Sequence, residues 1–326
     1  MATTSLSLNY GDMLSTTLFK WWKSGGIPDQ IFKGLTLFKY LDKRVEKVDG
    51  GDRIQIPIMW QENPTAGSYR HFDLLNMTPS EPFTSAFFDF KQFAVGIFIS
   101  GLEMLANNGA SQVFNLWKQR YNSAVLSAQK RLNDHLWSDG TGNNSKDFLG
   151  IQAIVSTTPT TGTIGGINRA TASNAFWRNK ADTVGSFESN GIKKLREMWV
   201  DVSENVPAGK PTVHFVDPDT YTRYENTLQP LERFTQVTGG QKGDAGFGSL
   251  TWKQAPVEFD NACPANSWYM LNTNFLHFVV HKDCYWKPTE RERPVDQHAY
   301  AQHILLMGEL CFSAARFFGV LSSITD

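Results

Sequence analysis

The stretch that decides the fold is Gly165-Gly166-Ile167-Asn168-Arg169-Ala170, followed closely by Phe176-Trp177-Arg178-Asn179. It closes a Thr- and Gly-rich segment, Ser156 to Gly166, that reads as a loop. Gly162-Thr163-Ile164-Gly165-Gly166 is not a phosphate cradle. It lacks the Gly-Lys-Ser/Thr ending that sets a lysine and a hydroxyl on a nucleotide, and it lacks regular GxGxxG spacing. No GxSxG nucleophile elbow and no HExxH pair occurs in the chain. Carboxylates are plentiful, but sequence alone pairs none of them into an acid–base dyad. An enzyme reading therefore has no motif behind it.

Upstream of this stretch lies the clearest helix. Ser111 can cap it, and Val113, Trp117, Tyr121, Ala124, Ala128, Leu132 and Leu136 recur at spacings of three and four. Gln119, Arg120, Lys130, Arg131 and Asn133 lie off that stripe, and Asp139-Gly140-Thr141-Gly142 ends the helix. Its predicted span, near 111–138, makes a beam of about 40 Å. Before it, Phe83 to Ser100 reads as one long strand-like run rich in Phe. Arg53-Ile54-Gln55-Ile56-Pro57-Ile58 alternates polar and apolar, and Pro57 assigns that strand to an edge or a two-stranded ribbon. Gln61 to Arg70 is a polar, breaker-rich loop tip, and Thr78-Pro79-Ser80-Glu81-Pro82 is a second loop. Residues 1–50 read as an arm. It has two short amphipathic segments, Asp12 to Lys23 and one opening at Pro28 with Ile31, Leu35, Phe38 and Leu41, separated by Ser24-Gly25-Gly26. Neither is long enough to stand alone.

Downstream the elements alternate. A helix around Asn190 to Glu204 carries Ile192, Leu195 and Trp199. Thr212 to Val216 is a buried strand, and Asp217-Pro218 supplies a cap and a first-turn proline for a helix reaching Leu228. Residues 235–250 are Gly-rich and read as a loop. Three strand-like runs close the chain: Trp268 to Leu271, Phe275 to Val280 and a long one from Ile304 to Ile324.

Composition narrows the function. The chain has 326 residues, room for about two domains. Its 31 Lys plus Arg against 32 Asp plus Glu give a net charge of -1, without the basic excess that tight nucleic-acid binding draws on. Only 19% of residues are charged, yet there are 23 Phe and 10 Trp, apolar surface that needs a core or a partner. No run approaches the roughly 20 apolar residues of a membrane span, and Met1 to Tyr10 does not read as a secretory signal. Cys263, Cys284 and Cys311 are too widely spaced for a zinc motif and odd in number for a disulfide framework. His277 and His281 share a strand face but lack a motif-supported third ligand, although Cys284 or Asp283 lies near in sequence. His298 and His303 suit neither helical nor strand periodicity. No metal and no cofactor is expected.

The Gly165–Ala170 and Phe176–Asn179 run resembles the major capsid proteins of tailed bacteriophages with the Hong Kong 97-type fold. Asp260-Asn261-Ala262-Cys263-Pro264-Ala265-Asn266, leading to Trp268-Tyr269-Met270-Leu271-Asn272, is similar to that family's D-x-x-x-P-x-N-x-x-Y-x-L-N segment. Pro294, Asp296-Gln297, Gly308-Glu309-Leu310-Cys311 and Gly319-Val320-Leu321 are similar to its C-terminal run. The first half of the chain agrees in element order alone.

The resemblance implies an α+β chain with four parts. These are an N-terminal arm at 1–50, an extended loop at 51–88, a peripheral domain at 89–185 and 291–326 built on the spine helix, and an axial domain at 186–290. The C-terminal strand would knit the domains together, with Gly50-Gly51 and the 235–250 loop as flexible joints. The function implied is structural, not enzymatic. Copies would form hexamers and pentamers of an icosahedral virion shell, assembled in the host cytoplasm with portal and scaffolding proteins. The shell would enclose double-stranded DNA without sequence-specific binding and without a membrane.

The loop tip Gln61 to Arg70 contains no Lys, so no Lys–Asn isopeptide crosslink of the kind some members form is expected there. No long charged helical segment precedes the arm, so any scaffold is expected to be a separate protein. Trp60, Tyr69 and Arg70 are the candidate intersubunit contacts, with packing inside the hairpin as the competing account. Alternative functions are an encapsulin-like nanocompartment shell, on the same fold, and a Trp-rich carbohydrate-binding protein.

Overall fold

A computed structural model describes residues 35–106, 116–203, 207–228, 250–295 and 297–326. The arm up to residue 34, the helix start at Ser111 and Val113, the Gly-rich loop up to residue 249 and Asp296 lie outside the described residues. The chain divides into two units. The described residues of the larger fall within Gly34–Gln92, Arg131–Tyr285 and Leu306–Asp326; those of the smaller fall within Phe93–Lys130 and Trp286–Leu305.

In chain order the first half runs α1 (Thr36–Asp42), β1 (Val45–Val48), β2 (Arg53–Met59), β3 (Phe83–Asp89), β4 (Lys91–Ser100), α2 (Gly101–Ala106) and α3 (Leu116–Trp137). Two-residue strands β5 (Thr163–Ile164) and β6 (Ile167–Asn168) follow, then β7 (Lys180–Ser186), α4 (Phe187–Ser203), β8 (Val213–Val216) and α5 (Pro218–Leu228). The chain closes with β9 (Leu250–Trp252), β10 (Ala255–Phe259), β11 (Trp268–Leu271), β12 (Leu276–His281), β13 (Lys287–Pro288), β14 (Ala299–Phe312) and β15 (Gly319–Thr325). Three of the unit boundaries fall within β4, α3 and β14, and another falls between β12 and β13.

The larger unit is built on a mixed six-stranded sheet ordered β7-β15-β11-β8-β10-β9. Its central strands β8 and β11 are buried at every position, which is why their sequences show no polar alternation. Helix α4 lays Leu195, Met198 and Val202 on this sheet, and Tyr224 of α5 meets Trp268 edge-on at 5.1 Å. Asp217 caps α5 as its sequence predicts: its Oδ2 accepts the Thr220 amide at 3.3 Å while Oδ1 accepts the Ser267 amide at 3.2 Å. One cap thus also fixes the entry to β11. In a second sheet of this unit, β1 pairs in parallel with β12, and β12 pairs antiparallel with the Gly308–Phe312 part of β14.

Gly165-Gly166 is the turn of a hairpin, β5–β6, inside a segment that reads as loop from composition. Both glycines have positive φ, +61° and +79°, as a two-residue I′-type turn requires. The residues after it form a local polar lattice. Fully buried Arg169 donates to the carbonyls of Ala153 (3.1 Å) and Ile154 (2.7 Å), Arg178 donates to that of Arg169 (2.7 Å), and Asn179 bonds both backbone groups of Ser156. Trp177 donates to Ile164 O at 3.0 Å and stacks on Phe312 at 4.3 Å.

The smaller unit has its own contacts. Arg120 of α3 forms a 2.7 Å ion pair with Glu103 of α2, Arg291 lies 4.1 Å over the Trp117 ring, and Phe98 meets His303 edge-on.

Three sequence expectations need correction. The run Phe83–Ser100 is two strands: β3 pairs with β2, whereas β4 pairs with β14, so the chain changes sheets at Phe90. The run Ile304–Ile324 is likewise two strands in two sheets, β14 and β15, separated by a single helical turn at Ala315–Phe317. Close backbone approach explains Gly319 at the start of β15, since a Cβ there would stand 2.7 Å from Val202 and 2.8 Å from Met198. Asn133, off the apolar stripe of α3, is buried because it makes polar contacts with α1 and Asp260.

Candidate intersubunit surface

Strands β2 and β3 form a two-stranded ribbon in register from Arg53↔Asp89 to Met59↔Phe83. Arg53 and Asp89 close it with a 2.9 Å ion pair. Pro57 faces Ser85 on β2, whose other edge pairs with no strand among the described residues, so its missing donor is tolerated. Ile58, Ala86 and Phe88 point into the unit, and the Phe87 amide donates to Gly165 O at 3.0 Å, docking the ribbon on the β5–β6 hairpin.

Beyond the ribbon, residues 60–82 form a long loop whose mouth is closed by the Trp60 amide on Pro82 O at 2.9 Å. Its own side chains organise its backbone. Asn63 accepts from Thr65, Asn76 accepts from Thr78, and Asp73 accepts the Arg70 amide at 2.7 Å.

The three candidate residues part company here. The Trp60 ring is half-buried, 5.8 Å from Phe176 of its own chain. Tyr69 and Arg70 are exposed together on the loop. The more apolar surface lies just beyond them and was not among the candidates: Phe72 and Leu74 are 99% exposed, Met77 89% and Leu75 63%. Its sequence signal is the breaker-free run Phe72-Asp73-Leu74-Leu75 between two breaker-rich segments.

The other candidate groups are accounted for locally. His277 and His281 do share a face of β12; His277 Nδ1 lies 2.6 Å from Glu46 Oε1, and His281 accepts the Asp283 amide at 3.2 Å. Among the described residues no three potential metal ligands converge, and no helix is long and apolar enough to cross a membrane. Cys263 and Cys311 are buried free thiols, and Cys284 is a partly exposed one. Buried Glu309 accepts the Leu149 and Leu310 amides at 2.7 and 3.0 Å, and desolvation raises its pKa to about 8. Leu102, Leu105, Val200 and Val295 are exposed elsewhere, and the loop gathers Phe72, Leu74, Leu75 and Met77 within six positions, a feature suited to binding another protein surface.

No family model matches the chain, and no curated protein matches its sequence. Solved structures match nearly all of it. The cyanophage A-1(L) capsid subunit superposes with a TM-score of 0.68 at 16% identity, covering 92% of this chain and 96% of that one. The capsid of a native GTA particle gives a TM-score of 0.65 at 9% identity over 100% of both chains. The holo-SrpI encapsulin complex of Synechococcus elongatus gives 0.55 at 7% identity over 94% of both. The fold of this chain is that of tailed-phage capsid proteins, the Hong Kong 97-type fold.

Proposed function

We propose that this chain is the major capsid protein of a tailed bacteriophage, a structural subunit whose copies assemble into hexamers and pentamers of an icosahedral shell around double-stranded DNA. The likeness in fold to capsid subunits over 92% or more of the chain carries this reading. Supporting it, the loop exposes apolar side chains that the described residues leave uncovered, each worth about 1.5–3 kcal/mol when buried. Residues 1–50 act as the arm, 51–88 as the extended loop, 89–185 and 291–326 as the peripheral domain and 186–290 as the axial domain. Tyr69 and Arg70, with Trp60 at the loop's mouth, contact a neighbour. The protein works mechanically and catalyses nothing. A net charge of -1 suits a wall that encloses DNA without gripping it. The site of action is the virion, after assembly in the host cytoplasm with portal and scaffolding partners.

Electron microscopy and sedimentation of the purified chain, with and without a co-expressed scaffold, test the reading. Closed shells or capsomers are expected; a monomer that persists at high concentration refutes it. The likeness to the encapsulin complex favours one second reading, a shell holding a protein cargo. Particles from the native source containing DNA support the first, and particles containing a cargo protein support the second.

A further inference from the structure

Where the chain changes sheets, charged residues flank Phe90: Asp89 ends β3 and Lys91 opens β4. β4 runs beside β14, which carries the buried carboxyl of Glu309. Lys91 is near enough for its charge to act on Glu309, yet its Nζ is bonded elsewhere, donating to Ser145 O at 2.6 Å. Ser145 ends the turn Gly142–Ser145, in which Asn143, Asn144 and Ser145 all have positive φ, +50°, +57° and +62°. Residues with a Cβ resist this left-handed backbone, and a run of them persists only where something holds it. The turn's own bonds are long: the Ser145 amide reaches Thr141 O at 3.2 Å and the Lys146 amide reaches Asn143 O at 3.4 Å. The Lys91 bond is the short one, and it comes from outside the turn.

Glu309 stands on the other side of the same junction. Its Oε1 accepts the Leu149 and Leu310 amides at 2.7 and 3.0 Å, so the carboxyl spans from β14 to the segment that follows the turn. Burial favours its neutral form, and Asp89 adds to that preference. Nearby on β14, burial pushes the Cys311 thiol up, and Glu309 and Glu46 push it further. On the adjoining strands Glu46 of β1 and His277 of β12 lie 2.6 Å apart, already paired with each other. Ahead of Leu149, Asp147 lies 3.7 Å from His135. Lys91 is the cation that acts on Glu309.

We propose that Lys91 is a latch thrown by Glu309: with a neutral Glu309 it clamps Ser145 O and holds the left-handed turn, and with an ionised Glu309 it swings inward, pairs with the carboxylate and lets the turn open. A buried carboxylate left unpaired is costly, whereas an exposed carbonyl released to water is not. The latch unties the root of the β2–β3 ribbon from the segment after α3. It operates within one subunit and so stands apart from the shell reading.

Amine labelling reads the inward swing. Glu309→Gln keeps an acceptor for both amides and cannot ionise. Lys91 is expected to be acetylated at equal rates in the parent and in Glu309→Gln at about pH 7, and about threefold or more slowly in the parent at about pH 9, above the Glu309 pKa of about 8. General loosening of the chain would speed the reaction instead. Equal rates at both pH values, or faster labelling in the parent at the higher one, overturn the latch.

Hydrogen exchange reads the turn. After correction for intrinsic rates, the Ser145 and Lys146 amides of the parent are expected to lose protection about tenfold from about pH 7 to about pH 9, while those of Glu309→Gln keep it. Lys91→Gln is expected to open the turn at both values, and Lys91→Arg, which restores a donor, to close it again at the lower one. Circular dichroism of each variant checks that the fold is intact. A turn as well protected in Lys91→Gln as in the parent shows that Lys91 holds nothing and overturns the proposal, whatever becomes of the shell reading.

Discussion

Asp260 and Asn133 hydrogen-bond to each other across 127 positions of sequence, Nδ2 to Oδ1 at 3.1 Å, and together they cap helix α1. The Leu37 amide donates to Asp260 Oδ2 and the Phe38 amide to Asn133 Oδ1, both at 3.0 Å. Helix α1 has no cap of its own, because Leu35 occupies its N-cap position. The unsatisfied first-turn amides are therefore paired by side chains from α3 and from the segment after β10, and all of this is buried.

Removing Asp260 leaves the Leu37 and Ala262 amides and the Asn133 side chain without their acceptor. Asp260→Ala is expected to cost about 2–4 kcal/mol, a lost cap plus unsatisfied buried donors. Asp260→Asn, which keeps one acceptor oxygen, is expected to cost less than half of that. Urea unfolding midpoints measure both, and equal losses would show that the carboxylate acts by some means other than capping.

Glu309 predicts a pH dependence of stability. Burial is the chief cause of its raised pKa, about 8 in the folded chain against an ordinary 4.5; the Leu149 and Leu310 amides and Lys91 oppose the rise, and Asp89 adds to it. Between those values the folded state keeps a proton that the unfolded state has released, so stability falls as pH rises. The contribution is whole below 4.5 and lost by about 8, with a slope of about 1.4 kcal/mol per pH unit. Buried His214, held neutral down to about 4, gives the opposite slope below 6.5. His135, lowered chiefly by burial, adds to that opposite slope, which fades as pH rises from 6.5 to 8. Because both histidines are common to the parent and a Glu309 variant, comparing the two isolates Glu309. Glu309→Gln, which keeps an acceptor for both amides, is expected to flatten the urea-denaturation profile there and to exceed the parent at the alkaline end. Parallel profiles would rule out the buried carboxyl as their source.

The β5–β6 turn separates its two glycines. A Cβ on Gly165 would stand 2.9 Å from the Cβ of Ala86, whereas one on Gly166 meets nothing within 4 Å. Gly165→Ala adds this clash to a left-handed backbone and is expected to cost about 2–4 kcal/mol. Gly166→Asn keeps a residue that accepts positive φ and is expected to stay within about 0.5 kcal/mol. Thermal melts compare the two; equal losses would place the ribbon contact elsewhere.

These sites show what the sequence makes legible. Periodicity locates α3, and the strand–cap–proline order at Val216-Asp217-Pro218, which opens α5, is seen directly in the structure. Such signals are local. Asn133 looks like a solvent-facing residue because its partners, Phe38 and Asp260, are 95 and 127 positions away. The breaks at Phe90 and after Phe312 are invisible to pattern reading because the residues on both sides favour strands; a change of sheet depends on long-range pairing. The loop site is half legible. Breakers mark its tip at Tyr69 and Arg70, but the exposure of Phe72 and Leu74 reverses what apolar residues ordinarily signal.

The absence of Lys from Gln61–Arg70 predicts particles held by noncovalent contacts at the loop tip. Mature particles boiled in detergent are expected to run as a single monomer band. A ladder of multimers would show that a lysine elsewhere reaches an asparagine of a neighbour.

Burial predicts that loop residues divide between folding and assembly. The Trp60 ring is half-buried against Phe176, so Trp60→Ala is expected to lower the stability of the isolated subunit by about 1–3 kcal/mol. Leu74 is 99% exposed, so Leu74→Ser is expected to leave subunit melting unchanged to within about 0.5 kcal/mol while cutting particle yield. Tyr69→Ala combined with Arg70→Glu should act in the same direction as Leu74→Ser. Melting curves of assembly-blocked subunits, set beside particle counts, measure the two effects separately. Normal particles from Leu74→Ser and from the Tyr69/Arg70 double variant would mean that the loop's apolar surface serves no neighbour.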